Sequence, residues 1–145
     1  MPLARAALYA QGVNLHVAVW PGNLNNTEWI TRFIARESRS FVVSVSGLMR
    51  AEDVVSAAIP DTQWHDDQTL ANGGSCVAGP DGEWLLEPIV GESGVLIVEL
   101  DRQHINRELQ NFDPSGHYAR PDVLQLSVNR ERLKPAVFNG GEPET

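Results

Sequence analysis

The stretch Ala35-Arg36-Glu37-Ser38-Arg39-Ser40-Phe41-Val42-Val43-Ser44-Val45-Ser46-Gly47 decides the fold, because within it helical spacing gives way to a strand. Ile30, Phe33, Ile34 and Glu37 recur at helical intervals, with Arg32, Arg36 and Arg39 elsewhere around the wheel. Asn26 or Thr27 can cap this helix through a side-chain oxygen, and Glu28 suits the positive end of its dipole. Phe41 to Ser46 is β-branched and aromatic, which favours a pleated strand, and Gly47 closes it. Ahead of the helix, Trp20-Pro21-Gly22-Asn23 is a loop, since proline and glycine interrupt pairing. Val13 to Val19 alternates apolar and polar residues before turning mostly apolar, and reads as a strand. Leu3 to Gln11, rich in Ala and Leu, stops at Gly12 as a helix with a glycine C-cap does. Helix, strand, helix, strand in succession predicts a layered α/β architecture.

The remainder of the chain is less regular. Ala51 to Leu70 carries Glu52, Asp53, Asp61, Asp66 and Asp67 without a clear period and predicts a loop with a short helical turn. Gly73-Gly74 precede a strand over Ser75 to Ala78, and Pro80-Asp81-Gly82 turns the chain into Glu83-Trp84-Leu85-Leu86, so this pair reads as a hairpin. Val95 to Leu100 is expected to be a strand, followed by a helix capped by Asp101 and ending near Asn111. Asp113-Pro114-Ser115-Gly116 breaks that helix. His117 to Val128 is expected to be an extended arm, and the tail 139–145 disordered.

Composition narrows the function. A chain of 145 residues is one domain's worth of sequence, and its 42% hydrophobic and 21% charged content is that of an ordinary globular protein. The net charge of −8, from 19 acidic against 11 basic residues, argues against nucleic acid and anionic lipid as partners, both of which need concentrated positive surface. The longest apolar runs, Phe41 to Val45 and Val95 to Val98, are too short to span a membrane. The first residues lack the basic start and long apolar stretch of a secretory signal, so cytoplasmic location is the default.

The single cysteine, Cys76, excludes an internal disulfide and a cysteine-rich zinc site. A lone cysteine can serve as a nucleophile, but Ser75-Cys76-Val77-Ala78 reads as a strand, where a free cysteine usually packs as a small hydrophobe. Gly-x-Ser-x-Gly, a phosphate-binding glycine loop ending in Lys, and His-Glu-x-x-His are all missing. His65, Asp66 and Asp67, with Glu52 and Asp53, offer metal-ligand chemistry at a spacing that matches no defined site; a solvated acidic loop explains them. Trp20, at the end of a strand, can line a pocket or simply pack, whereas Trp29 at a helix start suits core or interface packing. Glu37 lies on the apolar side of its helix and needs a partner if buried, from Arg39 or an upstream residue. His117-Tyr118-Ala119-Arg120-Pro121-Asp122 mixes aromatic and polar groups on one segment and is read as interface.

Several stretches, in order and across nearly the whole chain except Ala51 to Leu70, together resemble the nitrilase family. Met1-Pro2-Leu3-Ala4-Arg5 with Ala7 to Gly12 is similar to the helix that follows the family's nucleophile. Val17-Ala18-Val19-Trp20-Pro21 is similar to the next strand and its exit, and Ala35 to Val42 to the passage written elsewhere as E-G-R-C-F-V. Gly73-Gly74-Ser75-Cys76 through Pro80-Asp81-Gly82-Glu83 resembles the family hairpin. Gly116-His117-Tyr118-Ala119-Arg120-Pro121-Asp122-Val123 is the most specific match and is typical of true nitrilases.

The resemblance implies the carboxyl-terminal half of a four-layer α-β-β-α sandwich, with residues 1–138 a partial domain whose amino-terminal half is missing. It implies hydrolysis of a nitrile to a carboxylic acid and ammonia by a Glu, a Lys and a Cys, without metal or organic cofactor. A thiol must lose its proton to attack, and the developing charge needs a nearby cation. The resemblance sets all three residues ahead of Met1, the Cys only a few residues before it, so this chain alone is expected to be inactive. Within it, Trp20 and Pro21 are the expected pocket wall, Glu37 a support behind the site, and His117, Tyr118 and Arg120 an interface. The helices Leu3–Gln11 and Thr27–Arg39 match the family's dimer surface, and an apolar sheet face left uncovered favours association, so a homo-oligomer is expected. The alternative is a non-catalytic module that co-assembles with an intact nitrilase.

Overall fold

The computed structural model describes residues 1–54 and 68–131. Its elements run α1 (Pro2–Tyr9), β1 (Leu15–Trp20), α2 (Leu24–Ser38), β2 (Phe41–Ser46), β3 (Leu48–Arg50), a 3-10 turn (Ala51–Asp53), β4 (Thr69–Ala78), β5 (Trp84–Val90) and α3 (Arg102–Asn111). Alternation of helix and strand thus holds through β2, as the sequence predicts.

β1 and β2 pair in parallel from Leu15↔Phe41 to Trp20↔Ser46, with α2 as the crossover. β4 lies antiparallel to β2, matching Ser44 to Cys76, and continues past it to pair with β3. β5 lies on the other side of β4, with Ala78 opposite Trp84, and their register shifts at several points. The sheet order is β1-β2-β4-β3, with β5 beside β4.

The core lies between α2 and the sheet. Ile34 and Ala35 of α2 bury against Val42 of β2 and Ala78 of β4, with Ile30 and Trp84 packed at the margin. α3 packs where β2 begins: Ile105 is buried, His104 meets Phe41 edge-on, and Arg39 at the end of α2 bonds Glu108. Among the described residues, Leu15, Val17, Val19 and Val45 stay exposed on the opposite face of the sheet. One helical layer on one strand layer is the arrangement expected for half of the four-layer sandwich.

Several boundaries differ from the sequence reading. α2 begins at Leu24 rather than near Thr27, because Asn23 accepts the amide of Asn25 and supplies the cap one turn earlier. β4 begins at Thr69 instead of Ser75, since β3 offers its first residues a partner that no local pattern reveals. Val95 to Leu100 is not a strand among the described residues: Leu96, Val98 and Leu100 turn towards the sheet, but the backbone finds no ladder. His117 to Leu124 is a run of turns, with Ala119 donating to the Gly116 carbonyl and Leu124 to that of Arg120, so the extended arm is corrected there. Trp29 is 73% exposed and takes no part in the core. Residues 55–67 and 132–145, including the His65 cluster and the tail 139–145, lie outside the described residues.

Candidate functional site

The exit of β1 is held by close backbone approach. Gly22 has φ +123°, and a Cβ there would stand 2.5 Å from the Gly47 carbonyl oxygen, so only glycine fits. Asn23 donates its amide to the Gly73 carbonyl at 3.2 Å, and the Leu24 amide donates to Asn72 Oδ1 at 2.9 Å. Gly74 approaches α2 equally closely: a Cβ would sit 2.8 Å from Leu24 Cα. Gly22, Gly47, Gly73 and Gly74 therefore let the Trp20-Pro21-Gly22-Asn23 loop dock onto β4.

Trp20 is half-buried on the helix side of the sheet, and its indole N–H donates to Ser44 Oγ at 3.1 Å. Ser44 is in turn bonded to Thr31 Oγ1 at 2.6 Å, Thr31 donates to the Thr27 carbonyl at 2.5 Å, and the Cys76 thiol donates to Thr31 at 3.6 Å. The result is a hydroxyl ladder running from the strand edge into the α2–sheet interface. Pro21 is exposed beside Gly47. Cys76 is fully buried in β4, and burial pushes its thiol above the ordinary value although Thr31, Thr27 and Ser44 oppose the shift. A buried, protonated thiol without a nearby base or cation is not a nucleophile.

Glu37 occupies the far end of α2. Arg5 Nε donates to its Oε2 at 3.0 Å and Tyr9 Oη to the same oxygen at 2.7 Å, while Arg5 also bonds Tyr9 Oη at 3.1 Å. The upstream Arg5 is thus the partner; Arg39 instead bonds Glu108 at 3.0 Å. Burial, followed by the bond to Glu37, pushes the Tyr9 phenol well above its usual value and keeps it a donor. Trp20 connects through Ser44 to Thr31 at the middle of α2, whereas Glu37 lies about 9 Å further along the helix at the helical rise and bonds to α1. The structure does not bring them into one site.

His117, Tyr118 and Arg120 lie near the Glu37 end rather than the Trp20 end. Tyr118 stacks on Phe112 at 4.8 Å, Arg39 covers the other ring contact of Phe112 at 5.4 Å, and His117 stacks on Tyr118 at 4.7 Å. Arg120 pairs with Asp122 in the open. All three residues are exposed. A cleft of about 330 Å³ lies on the open face of the sheet, between Val43, Val45 and Val77 and the strip of Leu96, Val98 and Leu100. Among the described residues, no three His, Cys, Asp or Glu side chains gather as a metal site, and no helix is long and apolar enough to cross a membrane.

Sequence reasoning missed Arg5 and Tyr9, although their i,i+4 spacing on α1 puts both on one face. It also missed the ladder, whose signals are Thr27 and Thr31 one turn apart and Ser44 inside a β-branched strand.

The described residues form a parallel β-α-β unit extended by an antiparallel hairpin. The structure superposes on a carbon–nitrogen hydrolase from Helicobacter pylori with a TM-score of 0.65 at 20% identity, covering 84% of this chain and 43% of that one. Residues 1–107 match the carbon–nitrogen hydrolase family, and the chain belongs to it. It is 37% identical to Nitrilase 2 of Arabidopsis thaliana over 95% of this chain and 42% of that protein. It is also 33% identical to the aliphatic nitrilase of Sinorhizobium fredii over 94% of this chain and 44% of that protein. The chain thus spans less than half the length of these relatives.

Proposed function

We propose that this chain is the carboxyl-terminal portion of a nitrilase and acts as part of a nitrile-hydrolysing unit. The observation that carries this reading is likeness to nitrilases along 95% of the chain, including the Gly116 to Val123 segment. The reaction adds two waters to a nitrile and releases a carboxylic acid and ammonia. Attack on the nitrile carbon needs a thiolate, and the only cysteine here, Cys76, is buried with its proton retained. This chain alone is therefore proposed to be inactive, the Glu, Lys and Cys of the family being supplied by sequence that precedes Met1 in the resemblance.

Within the unit, Trp20 and Pro21 are proposed to form part of the pocket wall, because their loop is pinned by Gly22, Gly73 and Gly74 against β4. Glu37 is proposed to support the site from behind through Arg5 and Tyr9 rather than by touching substrate. His117, Tyr118 and Arg120 are proposed to contact a second copy, being exposed on a stacked aromatic platform.

The test is ammonia release from a panel of aliphatic and aromatic nitriles. The 145-residue chain should release none, whereas the same chain joined in frame to a segment carrying the family Glu, Lys and Cys should release ammonia with the matching acid. Ammonia release by this chain alone, abolished by Cys76→Ala, would overturn the reading.

A further inference from the structure

Glu37 Oε2 receives two donors from α1, and those donors are one helical turn apart. α1 has little else to hold it. It is only 8 residues long, has no side-chain bond at its N-cap, and buries Tyr9 alone, while Leu3 and Leu8 are exposed. An isolated helix of that length is marginal in water, so its persistence depends on tertiary anchors. Arg5 and Tyr9 are those anchors. Arg5 Nε reaches Glu37 at 3.0 Å with its guanidinium 5.6 Å over the Phe33 ring, and Tyr9 Oη reaches the same oxygen at 2.7 Å. A single anchor would let the helix pivot; two anchors a turn apart on one acceptor fix its rotation and its axial position. The third side of the triangle, Arg5 to Tyr9 at 3.1 Å, holds the two donors in register. Arg5 keeps little solvent contact, and the Glu37 carboxylate is about two-thirds covered at 34% exposure, so water competes weakly for these bonds.

We infer that Arg5, Tyr9 and Glu37 form a clasp that aims α1, making them positioning residues for the catalytic group that the proposed nitrilase unit would hold next to that helix. This rests on the proposed nitrilase reading for its catalytic consequence, while the clasp itself rests on geometry within the chain. The three residues bond to one another, and their proposed role does not involve touching substrate. Their effect is to hold the amino end of α1 in one pose, and an error of about 1 Å at a reacting group is enough to lower a rate by roughly 100-fold.

Two measurements separate the clasp from the reading it serves. The first is amide hydrogen exchange on the 145-residue chain. Arg5→Met and Glu37→Ala should each speed exchange across α1 by about 10-fold or more, consistent with local opening, while β2 and β4 keep their protection. Tyr9→Phe should give a smaller rise. Unchanged α1 exchange in both Arg5→Met and Glu37→Ala overturns the clasp. The second is nitrile hydrolysis by the longer in-frame form. There the same variants should lower kcat roughly 10- to 100-fold with KM within about twofold, and Arg5→Lys should recover part of the loss. The double variant Arg5→Met/Glu37→Ala should be no worse than the poorer single one, because both remove one unit. Equal loss in kcat and affinity, or additive losses, would mean general destabilisation and overturn the positioning role. A parent form without nitrilase activity would sink the proposed function and leave exchange to judge the clasp alone.

Discussion

Trp20 and Ser44 are joined diagonally across two parallel strands, the indole N–H donating to the hydroxyl at 3.1 Å although the ladder pairs Trp20 with Ser46. The bond ties the last residue of β1 to a hydroxyl that is already bonded to α2 through Thr31. Strand exit, neighbouring strand and helix are therefore one connected unit.

Trp20→Phe keeps most of the apolar area but removes the indole donor. Ser44 keeps its Thr31 bond, so the loss should be about 1 kcal/mol in urea unfolding. Ser44→Ala should lose more, about 1–3 kcal/mol, because it strands both the indole N–H and one Thr31 bond in a buried setting. An order reversed between the two would mean that the ladder is not the stabilising contact.

Gly22→Ala and Gly12→Ala form a matched pair. Both glycines have positive φ, +123° and +73°, but only at Gly22 would a Cβ meet backbone, at 2.5 Å from the Gly47 oxygen. Gly12→Ala should cost about 1 kcal/mol for conformation alone. Gly22→Ala should cost distinctly more, about 3 kcal/mol or above, since the loop must move off Gly47. Thermal unfolding of the two variants beside the parent reads the difference.

Cys76 should react with a thiol reagent only as fast as the chain opens. Burial raises its pKa above the unfolded value, so the sign is set: its contribution to stability is complete below the unfolded thiol value and is lost as pH rises beyond it. Urea midpoints should fall from about pH 8.5 upward, and Cys76→Ala should flatten that fall. Rapid modification in native buffer would contradict the buried assignment.

His16 supplies the opposite slope. Burial, with a smaller effect of Arg5, lowers its pKa, so the folded chain prefers the neutral ring. Stability present above the unfolded value should be lost as pH falls from about 6.5 towards the lower folded value. His16→Gln should remove that part of the acid sensitivity without shifting the midpoint at pH 8.

Self-association is the proposed state of this chain in isolation. Val19 is 80% exposed on the open sheet face, and Val95 and Ile97 are each 92% exposed on the strip beyond β5, which has no ladder partner among the described residues. Apolar surface of this kind, beside backbone without a ladder, recruits further chains. Sedimentation coefficients should rise with concentration, and Val19→Lys with Ile97→Lys should shift the population towards monomer. A single monomeric species in the parent at every concentration would contradict the proposal.

How much was legible from sequence depended on whether the signal was local. α3 and its Asp101 cap, the Asn111 end, and the hairpin turn at Pro80-Asp81-Gly82 were readable, because caps and turns are made by residues within a few positions of one another. The start of β4 was not, since Thr69 to Asn72 become strand only where β3 lies beside them. Val95 to Leu100 failed in the other direction: it has strand composition, but strand structure needs a partner and none of the described residues supplies one.

The sequence by itself determined the alternation of helix and strand, the α2–β2 passage and the burial of Cys76, because period and propensity are written in consecutive side chains. It also carried the family likeness, which lies in ordered motifs and not in any one contact. Only the tertiary structure decided who answers Glu37. Arg5 and Tyr9 stand 32 and 28 residues away, and nothing local distinguishes them from Arg39, two residues on. It alone tied Trp20 to Ser44 and Glu37 to α1, and it alone left Leu15, Val17, Val19 and Val45 exposed on one sheet face. Pairings across such distances depend on how elements pack, and packing is a property of the whole chain rather than of any stretch of it.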